Sequence, residues 1–191
     1  MISRLRAYFA EEGSALNLAG LRILTCVLLL LYAPVGRFRE RVREVFAGQG
    51  VAAERVSFVG RMPLTEYLRL YQEVDVALDP FPYGGGTTTC DALWMGVPVV
   101  SLAGPTAVSR GGLSILSNVG LADLVANDAA QYVRTAVALA SDLPRLAELR
   151  AGLRQRMQGS PLMDAHRFAR DVEAAYRRLW AHWVGPDGRD R

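Results

Sequence analysis

The sequence predicts an α/β chain, a doubly wound parallel sheet followed by a C-terminal helical extension. Three observations predict it. Short apolar runs alternate with amphipathic helical patterns between residues 27 and 101, the alternation that builds parallel sheets. One of these runs, Val74–Leu78, stops at Pro80 and is followed by the Pro/Gly stretch Phe81-Pro-Tyr-Gly-Gly-Gly86. An eight-residue helical pattern then leads through Gly96 and Pro98 into a second apolar run. Strand, loop, helix and strand in that order form a parallel, right-handed unit. The loop after Leu78 therefore belongs at the carboxyl end of its strand, where open α/β sheets bind ligands.

Taken in order, the first elements are the least regular. Residues 1–22 begin Met-Ile-Ser-Arg-Leu-Arg and then become apolar, but Glu11 and Glu12 interrupt the run, against a signal peptide. From Ile23 to Ala33 the chain is apolar, between Arg22 and Pro34. A membrane span needs about 20 such residues, so the run reads as a strand buried on both faces. Arg37–Ala47 has Phe38, Val42, Val45 and Phe46 on one side and Arg39, Glu40, Arg43 and Glu44 elsewhere, an amphipathic helix. Val56–Val59 reads as a short strand. Pro63 then opens a helix carrying Tyr67, Leu68, Leu70 and Tyr71.

Beyond the second apolar run, Gly104-Pro-Thr106 leads into a helix over Ala107–Asn118. Arg110 lies in its first turn, against the dipole preference, and so calls for a carboxylate or phosphate partner, with a structural salt bridge the simpler reading. Asp128–Ala140 and Leu143–Met157 read as two amphipathic helices. In the last helix, Arg167–Trp183, the stripe Phe168, Val172, Ala175, Tyr176, Leu179, Trp183 runs along one face.

The loop and helix at 84–91 carry the chemistry. Glycines 84 to 86 remove side chains where a backbone approaches a bound group closely. Thr87, Thr88 and Thr89 open a helix whose first amides have no intrahelical acceptor. Free N–H donors, the positive end of the helix dipole and Thr hydroxyls together suit a phosphate. Asp91, one turn further on, suits the hydroxyls of a ribose. Thr88 with Asp91 equally fits the Ser/Thr-x-x-Asp/Glu capping pattern, which needs no ligand. The glycines match neither G-x-G-x-x-G nor the P-loop, since no Lys follows them.

From Asp75 to Gly104, through Ala107-Val-Ser-Arg110, the sequence resembles the C-terminal catalytic half of the O-linked N-acetylglucosamine transferase and SPINDLY family. Asn118-Val-Gly-Leu-Ala-Asp-Leu-Val125, Ser160-Pro-Leu-Met-Asp-Ala165 and Tyr176-Arg-Arg-Leu-Trp180 extend the likeness, which covers about residues 27 to 183. The resemblance implies a GT-B glycosyltransferase, whose two Rossmann-like halves face each other, the C-terminal one binding a sugar nucleotide. It implies that Gly85, Gly86, Thr87 and Thr88 hold a UDP-sugar diphosphate, that Asp91 holds the ribose, and that the turn at Met62 and the helix residue Tyr67 lie by the base. Tyr67 stands where some relatives carry a His, Leu64 where some carry a Lys, and Gly86 where animal relatives carry a diphosphate-contacting His. Tyr67 also fits a packed inner-face position by the apolar period around it. The implied layout is a poorly matched segment at 1–25, a nucleotide-sugar-binding domain at 26–159, and a C-terminal helix and tail at 160–191.

At 191 residues with 51% hydrophobic content, the chain suits one well-filled domain. A GT-B enzyme needs two halves, so the resemblance implies a missing N-terminal half or a partner chain, and no 34-residue repeat recurs. The net charge is +3 and all 22 basic residues are scattered arginines, which does not suggest nucleic acid. Cys26 and Cys90 make no disulfide framework, and a reducing cytoplasm is the expected compartment. His166 and His182 lie far in sequence from the Gly/Thr loop with no metal set around them, so no metal cofactor is expected. The expectation is a glycosyltransferase domain that binds a UDP-sugar, UDP-N-acetylglucosamine by resemblance, for O-linked transfer to protein. No residue is assigned as catalytic base. The alternatives are a nucleotide-binding remnant without turnover and a protein-interaction domain using the last helix.

Overall fold

The computed structural model describes residues 23–25 and 35–185. Its elements are β1 (Ile23–Thr25), α1 (Val35–Ala47), α2 (Leu64–Leu70), β2 (Val76–Leu78), α3 (Thr87–Trp94), β3 (Val99–Leu102), α4 (Gly111–Asn118), β4 (Val125–Ala126), α5 (Ala129–Ser141), α6 (Leu143–Gln158) and α7 (Ala165–Val184). The strands form one parallel sheet in the order β1-β2-β3-β4. Ile23 faces Val76, Ala77 faces Val99, and Ser101 faces Val125. The predicted α/β architecture is therefore present. Val56–Val59 is not a strand: β1 pairs directly with β2, leaving residues 56–63 as an irregular approach to α2. Residues 56–59 pair with no described strand, although the outer edges of β1 and β4 carry no described partner. The expected strand at Ile23–Ala33 is seen as Ile23–Thr25, and residues 26–33 lie outside the described residues, as do residues 1–22.

Successive strand residues point to opposite faces of a sheet, and Val99 and Val100 are both buried, so β3 is covered on both sides. α5 packs on β2, β3 and β4, α4 on β3 and β4, and α3 lies between β3 and α6. Leu93, Leu116, Leu121, Leu124, Leu139 and Leu153 are almost wholly enclosed, each worth about 1.5–3 kcal/mol relative to an exposed position.

The α3 terminus is closed by a backbone motif that the Gly96-Val97 pair makes available. Val97 N–H donates to the Ala92 carbonyl at 2.8 Å and Gly96 N–H to that of Leu93 at 3.1 Å, with Gly96 at φ +86°. This turn needs glycine and sends the chain straight into β3. α6 clasps the sheet from outside. Arg150 donates to the carbonyls of Val74 (2.7 Å), Tyr71 (3.0 Å) and Gln72 (3.2 Å), and Arg154 donates to that of Trp94 while lying 5.3 Å over its ring.

α7 behaves differently. Its principal contact is the turn Pro161–Met163, and Phe168, Tyr176, Leu179, Trp180 and Trp183 are all about two-thirds exposed. Of the apolar stripe expected from the sequence, Phe168, Tyr176, Leu179 and Trp183 face solvent, while Val172 and Ala175 are half-buried. Truncation should therefore separate the two regions. Leu93→Ala is expected to lose about 2–5 kcal/mol in urea denaturation, and Leu179→Ala less than about 0.5 kcal/mol. Equal losses would contradict this assignment of the core.

Candidate functional site

Asp79 is the first residue beyond β2 and is 4% exposed. A buried carboxylate is costly unless every lone pair that matters is met. Here Oδ1 accepts the Gly85 N–H at 2.6 Å and Oδ2 accepts the Ser101 hydroxyl from β3 at 2.7 Å. Tyr132 on α5 adds a bond to the Asp79 carbonyl at 2.9 Å. Residues 79 to 86 are thus folded back onto the strand ends.

Two glycines permit this closeness. A Cβ on Gly85 would lie 2.6 Å from the Thr88 hydroxyl and 2.8 Å from that of Thr89, and one on Gly112 would lie 2.0 Å from the Ser101 hydroxyl and 2.7 Å from Asp79 Oδ2. The loop therefore presses directly on the starts of α3 and α4. Burial raises the Asp79 carboxyl above its ordinary range, partly offset by the Gly85 amide and the Ser101 hydroxyl.

α3 starts at Thr87 with Gly86 at its cap position and no side-chain cap, so the capping-box reading of Thr88 and Asp91 does not hold. Thr88 lies inside the helix rather than at its cap. By contrast, Asp128, Asp142 and Asp164 accept the amides of Gln131, Arg145 and Arg167 and so close α5, α6 and α7. Gly86 and Thr87 are exposed and Thr88 and Asp91 half-buried. Positions 87, 88 and 91 share one helix face by their three- and four-residue spacing.

Asp91 is joined to α2 and the turn after it. The Tyr67 hydroxyl donates to Asp91 Oδ2 at 3.2 Å and lies 2.5 Å from the Tyr71 hydroxyl, which reaches the Thr88 carbonyl at 3.5 Å. The two rings meet edge to face, 5.2 Å between centroids. Burial first, then the Tyr71 hydroxyl and the Asp91 charge, hold the Tyr67 phenol protonated far above its ordinary range. Tyr67 is therefore both a packed residue and a polar one. Met62 is half-buried in the irregular stretch before α2 and joins no hydrogen bond of this network.

The structure thus brings Gly85, Thr88, Asp91 and Tyr67 together, with Gly86 and Thr87 at the open rim. Sequence reasoning did not single out Asp79, Ser101, Gly112, Tyr71 or Tyr132 as parts of the site. The one available signal was an Asp directly after an apolar strand, where a carboxylate must be either buried or liganded. Arg110 has no carboxylate partner among the described residues: its guanidinium reaches the Gly104 carbonyl at 3.5 Å.

The site is an open ledge. A cavity of about 20 Å³, the size of one water, lies behind it among Tyr71, Leu78, Asp79, Thr88, Thr89 and Val99. A wider concavity of about 430 Å³ lies at residues 158–167, between α6 and α7. It holds none of the loop's anion-facing groups. Among the described residues no three His, Cys, Asp or Glu side chains gather as a metal set, and no helix is long and apolar enough to cross a membrane.

Sheet, crossover helices and a glycine-rich junction beyond an internal strand define a Rossmann-like α/β domain with its open edge at the strands' carboxyl ends. Residues 21–172 match the family described as Glycosyl transferase family 41, and the chain belongs to that family, which includes the O-linked N-acetylglucosamine transferases and SPINDLY proteins. It is 39% identical over 150 residues to the probable UDP-N-acetylglucosamine–peptide N-acetylglucosaminyltransferase SPINDLY of Solanum lycopersicum, covering 78% of this chain and 16% of that protein. It is 31% identical over 157 residues to the UDP-N-acetylglucosamine–peptide N-acetylglucosaminyltransferase of Caenorhabditis elegans, covering 82% of this chain and 14% of that one. A mutant O-GlcNAc transferase of Thermobaculum terrenum has a similar structure, with TM-score 0.69 and 41% identity, over 78% of this chain and 28% of that chain. The chain thus spans less than a third of each of these relatives. The likeness to the solved structure supports placing this fold as the C-terminal half of the GT-B architecture.

Asp79 also predicts a pH dependence. Because folding raises its pKa above the ordinary 3.8, the folded chain binds that proton more tightly than the unfolded chain. The Asp79 contribution to stability therefore falls as pH rises through the interval between the unfolded and folded values, and is level above it. Asp79→Asn removes this titration. In urea denaturation from about pH 4 to 8, wild-type stability minus that of Asp79→Asn should decline with pH and then level off. A flat difference would contradict the buried carboxylate.

Proposed function

We propose that this chain is the sugar-nucleotide-binding part of a glycosyltransferase that moves a sugar from a UDP donor to a hydroxyl of a protein. The names of its relatives point to UDP-N-acetylglucosamine as that donor. The observation that carries the reading is the start of α3. It lies beyond β2 with no side-chain cap and an exposed rim at Gly86 and Thr87, and Asp91 sits one turn further in.

In this reading the backbone of Gly86 and the amides and hydroxyls of Thr87 and Thr88 hold the diphosphate, while Gly85, whose N–H is held by Asp79, lets the loop come close because it has no side chain. As the sugar leaves, negative charge grows on the leaving UDP, and fixed donors aimed at that charge lower the barrier. The helix dipole adds to them without reorganisation. Asp91 accepts a ribose hydroxyl, Met62 places its turn near the base, and Tyr67 acts through Asp91. The acceptor side and the catalytic base belong to sequence outside this chain, in an N-terminal half of the same protein or in a partner. Such a protein works in the reducing cytoplasm.

Calorimetric titration with UDP tests this. Wild type is expected to give saturable heat. Asp91→Ala should weaken binding about tenfold or more, the loss of one hydrogen bond to a charged group, with an unchanged circular dichroism spectrum. Absence of heat with the wild-type chain would overturn the reading.

A further inference from the structure

The polar chain Tyr71–Tyr67–Asp91 runs from the core to the rim of the site. Tyr71 is 3% exposed and part of the core, so its ring is fixed by packing. The edge-to-face contact and the 2.5 Å approach of the two hydroxyls fix Tyr67 in turn, one helical turn away. Tyr67 then donates to Asp91 Oδ2. Asp91 Oδ1 takes no hydrogen bond from any described residue, and the carboxylate is half-buried beside the open rim at Thr87.

A carboxylate held by one oxygen presents the other in a set direction, as an acceptor only. The group it meets must be a donor. On a nucleotide placed with its diphosphate at Gly86–Thr88, the neutral donors one unit further along are the sugar hydroxyls. A carboxylate with no such tether would turn about its own side-chain bonds and lose that direction.

We infer that Tyr67 and Tyr71 are positioning residues that aim Asp91 at the ribose hydroxyls, so that the site selects ribonucleoside over deoxyribonucleoside diphosphates. This rests on the nucleotide reading above. Burial, the Tyr71 hydroxyl and the Asp91 charge hold the Tyr67 phenol protonated, so its hydroxyl serves the tether as a donor.

The test is calorimetric titration of the full chain with UDP, 2′-deoxy-UDP and 3′-deoxy-UDP. Wild type should prefer UDP over at least one deoxy analogue by about tenfold, since a site built around a hydroxyl leaves its acceptor unpaired without it. Tyr67→Phe should shrink that preference to within about twofold while leaving affinity for the disfavoured analogue unchanged. A merely structural role would weaken all three ligands together. Tyr71→Phe should shift the preference in the same direction by less, and Asp91→Asn should reduce it without touching the tyrosines, which keeps the test open should a Tyr variant fail to fold. A Tyr67→Phe chain that retains the full preference, or loses all three ligands equally, overturns this inference while the nucleotide reading stands. A wild-type chain that binds none of the three overturns both.

Discussion

The carboxylate of Asp79 fixes the geometry on which the rest of the site depends. One oxygen holds the Gly85 amide and the other the Ser101 hydroxyl, so the loop after β2 is tied to β3 and pressed against α3 and α4. Residues 80 to 86 include three glycines and two prolines and have little apolar surface of their own to bury. Without an internal anchor such a loop has no reason to keep one conformation. Burying a charge for this purpose is costly, and two short hydrogen bonds to the charged group offset that cost. The result is a helix start held beyond the sheet edge.

Much of this was legible in the sequence, for identifiable reasons. The 74–100 stretch combined a β-length apolar run, two proline breaks, a glycine triplet and a helix-length pattern, and each signal pointed to the same element. α5 and α6 were readable because Asp128 and Asp142 cap them and the apolar period is regular. The misreadings came where local pattern yields to tertiary pairing. Val56–Val59 has strand composition, but composition alone does not recruit a run to a sheet edge, and these residues pair with no described strand. Thr88 and Asp91 have capping-box spacing, but the helix begins two residues earlier than that motif requires, and Asp91 is engaged by a tyrosine 24 residues away. No local pattern encodes a contact of that range. The role of Asp79 was hidden for the same reason, since Ser101 and Tyr132 reach it from β3 and α5.

The family assignment and the local physics support different parts of the reading. Membership of Glycosyl transferase family 41 rests on residues 21–172 and on relatives of which this chain spans only a part. What the residues contribute is a division of labour: an exposed rim at Gly86 and Thr87 with Thr88 half-buried behind it, a tethered carboxylate at Asp91, and a buried anchor beneath both. The exposed stripe of α7 and the concavity at 158–167 lie outside this arrangement and draw on none of its groups.

The most direct measurement is a two-dimensional NMR titration of the ¹⁵N-labelled chain with UDP, following individual backbone amides. The account expects saturable shifts at Gly85, Gly86, Thr87 and Thr88, a smaller response at Asp91, and none along α7. Shifts confined to residues 158–167, or no shifts at the start of α3 with nucleotide in excess, would contradict it.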